Sequence, residues 1–95
     1  MVENNVYILF SDALNQFYIG ETVDFEERLN EHNLGFYKKA FTSKANDWEL
    51  FLKIVCKDRV QARKIETHIK SMKSKKYIND LKDYPEIINR LIQRY

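Results

Sequence analysis

Two tyrosines, an arginine, a histidine and a glutamate are the side chains here whose types and spacing could do chemistry together. Tyr7 lies in Val6-Tyr7-Ile8 and Tyr18 in Tyr18-Ile19-Gly20. Arg28 and His32 stand one helical turn apart and so project from the same side of a helix. Glu66 lies inside a stretch whose apolar spacing is otherwise that of a core helix. Two phenols, a guanidinium, an imidazole and a carboxylate are the parts needed to hydrolyse a phosphodiester around one metal ion. The flat fork of an arginine makes two hydrogen bonds to a phosphate and keeps its charge. A hard cation such as magnesium prefers oxygen ligands and retains several waters, so one carboxylate suffices when a phosphate supplies more. A tyrosine acting as general base needs help, because its free pKa is about 10. A nearby cation, Arg28 or a metal-bound water network, would favour the phenolate.

Each of these side chains also has a purely structural reading. Glu66 shares a helix face with Ala62 and borders the Ala62, Ile65 and Ile69 stripe, where a carboxylate should be paired or bind a metal. Lys70, at i+4, is the available pair. Arg28 could pair with Asp24 or Glu31, and His32 suits the C-terminal end of a helix dipole. The two tyrosines could pack on a half-exposed strand face. His68 reads as a surface residue.

The elements that must position these groups are short. Residues 5–11 are β-branched and aromatic and read as a strand, Asp12 to Asn15 as a turn, and residues 16–20 as a second strand of a hairpin. Pairing Asp12 with Asn15 puts Tyr7 and Tyr18 on one face as diagonal neighbours, roughly 7–8 Å apart at the backbone. Val6, Ile8 and Phe10 then face the other way with Phe17 and Ile19. Thr22 or Asp24 caps a helix over about 24–34, with Phe25 and Leu29 as its apolar stripe and Asn33 or Gly35 at its end. Residues 35–46 form a loop carrying Phe36, Tyr37, Lys38, Lys39, Phe41 and Lys44. Alternation over Trp48 to Cys56 predicts a central strand, with Trp48, Leu50, Leu52, Ile54 and Cys56 on one face. Asp58 and Gln61 resemble a capping box that opens a second helix, whose buried stripe is Ala62, Ile65, Ile69 and Met72. A third helix opens near Pro85 and buries Ile87, Ile88, Leu91 and Ile92. The expected order is β-β-α-β-α-α, an α+β (α/β) sandwich.

The ordered set resembles the GIY-YIG nuclease family, and more narrowly its small, single-domain endonuclease branch. The matching text is Val6-Tyr7-Ile8-Leu9, Phe17-Tyr18-Ile19-Gly20-Glu21-Thr22, Glu27-Arg28-Leu29-Asn30-Glu31-His32-Asn33, Trp48-Glu49-Leu50, and Ala62-Arg63-Lys64-Ile65-Glu66 running into Ile69-Lys70. The resemblance covers residues 5 to about 80 and implies that residues 1–95 form one nuclease domain. It implies a three-stranded antiparallel sheet flanked by three helices, with the site on one sheet face. It further implies DNA phosphodiester cutting with one divalent cation, Mg2+ or Mn2+. On that resemblance Tyr7 and Tyr18 are the motif tyrosines, Arg28 the family arginine, His32 the motif histidine and Glu66 the metal ligand. Tyr7 is assigned as general base, Tyr18 orients the water or the phosphate, and His32 orients a tyrosine or takes part in proton transfer. Val6 stands where the family name has glycine. Asn79 is the nearest candidate for the family's late polar residue.

Bulk composition sets wide bounds on this reading. Hydrophobic residues make up 44% and charged residues 32%, an ordinary globular balance. No apolar run approaches the roughly 20 residues a membrane span needs, and no basic-then-apolar leader opens the chain. Cys56 is alone, which excludes an intrachain disulfide and points to a reducing, cytoplasmic compartment where it fills core space. The net charge of +2 is too mild to prove a polyanionic partner. Its distribution is more informative: Lys70, Lys73, Lys75 and Lys76 cluster without an acid between them. With Tyr37, Lys38, Lys39 and Lys44 they are the expected contacts to DNA, including structured or branched DNA. A helix C-terminus that favours lysines is the other explanation of that run. Two other functions compete with the nuclease: a nucleic-acid-binding module that keeps the shape without cutting, and an interaction protein docking through Phe36, Tyr37 and Phe41.

Overall fold

The computed structural model describes residues 3–34 and 44–95. Three antiparallel strands, β1 (Asn4–Ser11), β2 (Gln16–Thr22) and β3 (Glu49–Cys56), form a sheet of order β2-β1-β3. The helices among the described residues are α1 (Phe25–Asn33), α2 (Arg59–Met72), α3 (Lys75–Asp83) and α4 (Pro85–Arg94). The expected fold class holds with one correction, since four helices are present and not three. In the sequence, residues 75–83 have no expected element of their own. Only Ile78 and Leu81 of α3 are buried, too few to show a period against its lysines and aspartates. Lys73, with φ 48°, ends α2 in the left-handed conformation, and Ser74 caps α3 by accepting from the Tyr77 amide at 3.1 Å.

The hairpin has the expected register: Tyr7 opposes Gly20 and Leu9 opposes Tyr18, so both phenols share a face. Asn15, with φ 52°, makes the turn, and its amide donates to the Asp12 carbonyl at 3.3 Å. Two hydrogen bonds to Asp47 brace that turn, from the Ser11 hydroxyl at 2.6 Å and the Ala13 amide at 2.9 Å.

The third strand departs from its expected geometry in two ways. It is an edge strand; β1 is central, and its Val6, Ile8 and Leu9 are fully buried. Its alternation is also interrupted. Ile8 opposes Leu52 but Leu9 opposes Leu50, so Phe51 is an extra residue in a β-bulge. The bulge turns Leu50 onto the Tyr7 face, and Trp48 packs with Tyr7 and Leu9 rather than with Ile54 and Cys56. Two hydrophobic layers result. Val6, Ile8, Ile54 and Cys56 meet Ala62, Ile65 and Ile69 of α2, with Ile78, Leu81 and Leu91 beyond. On the opposite face Tyr7, Leu9 and Trp48 meet Phe25 and Leu29 of α1. Met72 and Ile92, expected in buried stripes, are exposed; each lies in the last turn of its helix, and α4 packs on α2 and α3 rather than on the sheet.

Asp58 caps α2 by accepting from the Gln61 amide at 2.8 Å. The Gln61 carboxamide reaches back to the Lys57 amide at 2.7 Å and donates to the Ile92 carbonyl at 3.0 Å, which ties α4 to the start of α2. No helix among the described residues is long and apolar enough to cross a membrane.

Candidate active site

β1 and β2 place Tyr7 and Tyr18 with ring centroids 6.2 Å apart. α1 lies over them and brings in His32, whose Nε2 is 3.1 Å from the Tyr7 hydroxyl. Tyr7 and His32 are both 2% exposed, whereas Tyr18 is only half-buried, with its ring 4.8 Å from the imidazole. Gly20 makes this approach possible: a Cβ there would overlap the hydroxyl and ring of Tyr7. The tripeptide's glycine is therefore required by the phenol across from it, not by a turn.

α1 is fixed at both ends. Asp24 accepts from the Glu27 amide at 3.1 Å, and the Thr22 hydroxyl bonds the Asp24 backbone. At the other end the Asn33 amide group holds Trp48 on both sides, donating to its carbonyl at 3.0 Å and accepting from its N–H at 2.8 Å. His32 thus sits one residue before a two-bond clamp between α1 and the start of β3.

Burial, reinforced by the Arg28 charge, lowers the His32 pKa, with Glu31 opposing. The imidazole is therefore neutral at neutral pH, with one donor and one acceptor nitrogen. Tyr18 is shifted upward, first by burial and then by the Glu66 charge; Arg28 and a hydrogen bond with Tyr7 act the other way. Glu66 is also pushed up. Burial outweighs Lys70, Glu21 pushes in the same direction as burial, and Arg63 opposes it. The Lys70 ammonium, 3.8 Å away, confirms the expected i+4 pair but does not compensate the desolvation of a side chain only 18% exposed. Arg28 borders a groove of about 240 Å³ together with Glu21, Thr22, Val23 and Arg59. Arg28 and Glu66 thus act electrostatically on the same Tyr18 hydroxyl, one from α1 and the other from α2 on the far side of the sheet.

The GIY-YIG catalytic domain family matches residues 3–79 of the 95. The chain belongs to the GIY-YIG family. No curated protein and no solved structure is significantly similar to it. Membership brings a nuclease-type function with a nucleic acid as substrate, and GIY-YIG nucleases generally depend on a metal. Val6, at the position of the family's first glycine, is fully buried against α2, so a valine there fills core and leaves Tyr7 on the opposite face.

Of the other residues expected in the GIY-YIG site, Tyr37, Lys38 and Lys39 lie outside the described residues. So do Phe36 and Phe41. Lys44 is exposed. The lysine run is partly engaged within the protein: Lys70 with Glu66, Lys76 with Asp80 at 2.9 Å, and Lys75 with the Asn15 carbonyl at 2.8 Å. Lys73 is the left-handed residue that ends α2. Asn79 donates to the Lys75 carbonyl and lines a pocket with Phe10, Phe17 and Phe51, on the α2 side of the sheet and away from the phenols. His68 is not a simple surface residue; it is half-buried, with Nδ1 3.0 Å from the Tyr95 hydroxyl.

Gly20, Asn33 and Glu21 position the site without having been assigned to it. Gly20 and Asn33 lie inside the motif text, where their partners Tyr7 and Trp48 could be found only from the pairing.

The donor chemistry fits a hard divalent cation. Among the described residues no three His, Cys, Asp or Glu side chains converge. A magnesium-type ion needs only one or two carboxylates plus phosphate and water oxygens. Glu66 is a largely covered carboxylate whose charged form is destabilised by its surroundings, as a ligand awaiting a cation would be.

Proposed function

We propose that this protein is a metal-dependent endonuclease that hydrolyses DNA phosphodiester bonds. The reading is carried by one observation: a buried Tyr7–His32 hydrogen bond, with Tyr18 beside it, within electrostatic reach of Arg28 and Glu66 inside a GIY-YIG domain. Arg28 binds the scissile phosphate, and its charge meets the charge that develops in the transition state. Tyr18, the less buried phenol, orients the attacking water. Tyr7 takes the water's proton and passes its own to His32 Nε2. A neutral imidazole as the final acceptor spares Tyr7 from standing as a phenolate at neutral pH. Water's oxygen bonds to phosphorus, the opposite P–O bond breaks, and the leaving oxygen is protonated from solvent. Glu66 holds the ion, Mg2+ or Mn2+, which when bound supplies the charge that stabilises the leaving oxygen. The buried, unpaired Cys56 accords with a cytoplasmic setting.

Supercoiled, single-stranded and branched DNA, each with magnesium, manganese or EDTA, tests this. Cutting only with metal, lost in Arg28→Ala, is expected. Salt-sensitive binding without cutting on any substrate would make the protein a non-catalytic binding module.

A further inference from the structure

One oxygen of Glu21 holds two arginines. Nε of Arg59 and Nε of Arg63 each lie 3.6 Å from Glu21 Oε1. The carboxylate's side chain is 16% exposed, while those of the arginines are 63% and 61% exposed. Both pairs form through Nε, and a guanidinium carries five donors in a flat fork. Each arginine therefore keeps its Nη donors for a ligand while its orientation is set from beneath. Such surface pairs contribute little stability.

The position is also telling. The Glu21 charge is felt by Glu66, which puts the pair beside the candidate metal ligand. Arg59 shares its groove with Arg28. Arg63 opens a second groove of about 490 Å³ between α2 and the C-terminal residue, lined by Lys64, Thr67, His68 and Ser71. The two cations and the Thr67 hydroxyl suit a phosphate backbone, while Ser71 donates to the His68 carbonyl and His68 Nδ1 is held by Tyr95.

We propose that Arg59 and Arg63, oriented by Glu21, bind the phosphodiester next to the one Arg28 takes, and that the substrate backbone continues along α2 into the second groove. This rests on the nuclease reading, but its test does not require cutting. Binding of a labelled DNA duplex and of the matching RNA duplex is measured in EDTA across a salt series. For Arg59→Gln/Arg63→Gln, affinity falls about tenfold or more at 0.1 M salt. The slope of log K against log salt becomes shallower by about 0.9 to 1.8, one to two phosphate contacts. The polymer bound more tightly by the wild type and losing more in this variant identifies the substrate backbone. Arg59→Lys/Arg63→Lys keeps the charges, so it retains the slope and the melting temperature and loses severalfold in affinity with the forks. Glu21→Gln weakens binding severalfold even though it removes a negative charge. An unchanged slope in the glutamine double variant would overturn the site, and tighter binding by Glu21→Gln would overturn the role of Glu21. If the nuclease reading alone fails, metal-supplemented wild type does not cut while these binding differences persist.

Discussion

Glu66 is held in a charge state its surroundings disfavour, and that has consequences for both stability and chemistry. Its folded pKa lies above the ordinary 4.5, so the stability linked to its protonated form is present below pH 4.5 and is lost as pH rises through the shifted value. Glu66→Gln should therefore melt at a higher temperature than the wild type at pH 7 in EDTA, with the difference closing near pH 4. The same substitution should reduce cutting by roughly 10²-fold or more, since it removes the proposed metal ligand. His32 works in the opposite sense. Its folded pKa lies below 6.5, so its stability contribution is present above pH 6.5 and is lost as pH falls through the lowered value. As proton acceptor it should give kcat/KM an acid limb centred below pH 6.5, and His32→Gln should remove that limb. A profile unaltered in His32→Gln would exclude it from proton transfer. The types and spacing of Tyr7, Tyr18, Arg28, His32 and Glu66 were legible in the sequence. So was a role for His32 in orienting a tyrosine; that the tyrosine is Tyr7 was not, because spacing within α1 says nothing about how the helix docks on the sheet.

At the level of elements, the site depends on two contacts that bring strands and helix together. Gly20→Ala would place a Cβ against the Tyr7 phenol. Overpacking of this kind costs about 1–3 kcal/mol. Displacing Tyr7 from His32 should slow cutting by roughly 10²-fold, measured beside a thermal melt. Asn33→Ala removes both side-chain hydrogen bonds to the Trp48 backbone. The expected loss is about 2 kcal/mol, a fall in melting temperature on the order of 10 °C, together with reduced cutting because α1 no longer holds His32 in place. The hairpin was legible because an odd pairing sum puts Val6, Ile8 and Ile19 on one face, and a turn that pairs Asp12 with Asn15 supplies such a sum. The bulge at Phe51 was not, since an extra residue in an apolar strand leaves the composition unchanged while reversing which face Trp48 covers. The helix over Lys75–Asp83 was hidden by its own charges, having only Ile78 and Leu81 to show.

Across the whole molecule, the sheet separates two tasks. One face, under α2, α3 and α4, is the larger hydrophobic core. The other carries the phenols and the imidazole under α1, and Glu66 and Glu21 bring in their charge from the α2 side. The proposed chemistry thus draws on both layers, although no single segment of sequence contains it. The most direct test of this arrangement is the cutting of supercoiled and branched DNA under matched magnesium by wild type and Glu66→Ala, with circular dichroism confirming that both are folded. The wild type should cut with magnesium, EDTA should abolish that cutting, and a folded Glu66→Ala should not cut. A Glu66→Ala protein that still cuts with magnesium, or one that loses its fold, would contradict it and leave Glu66 as a structural carboxylate.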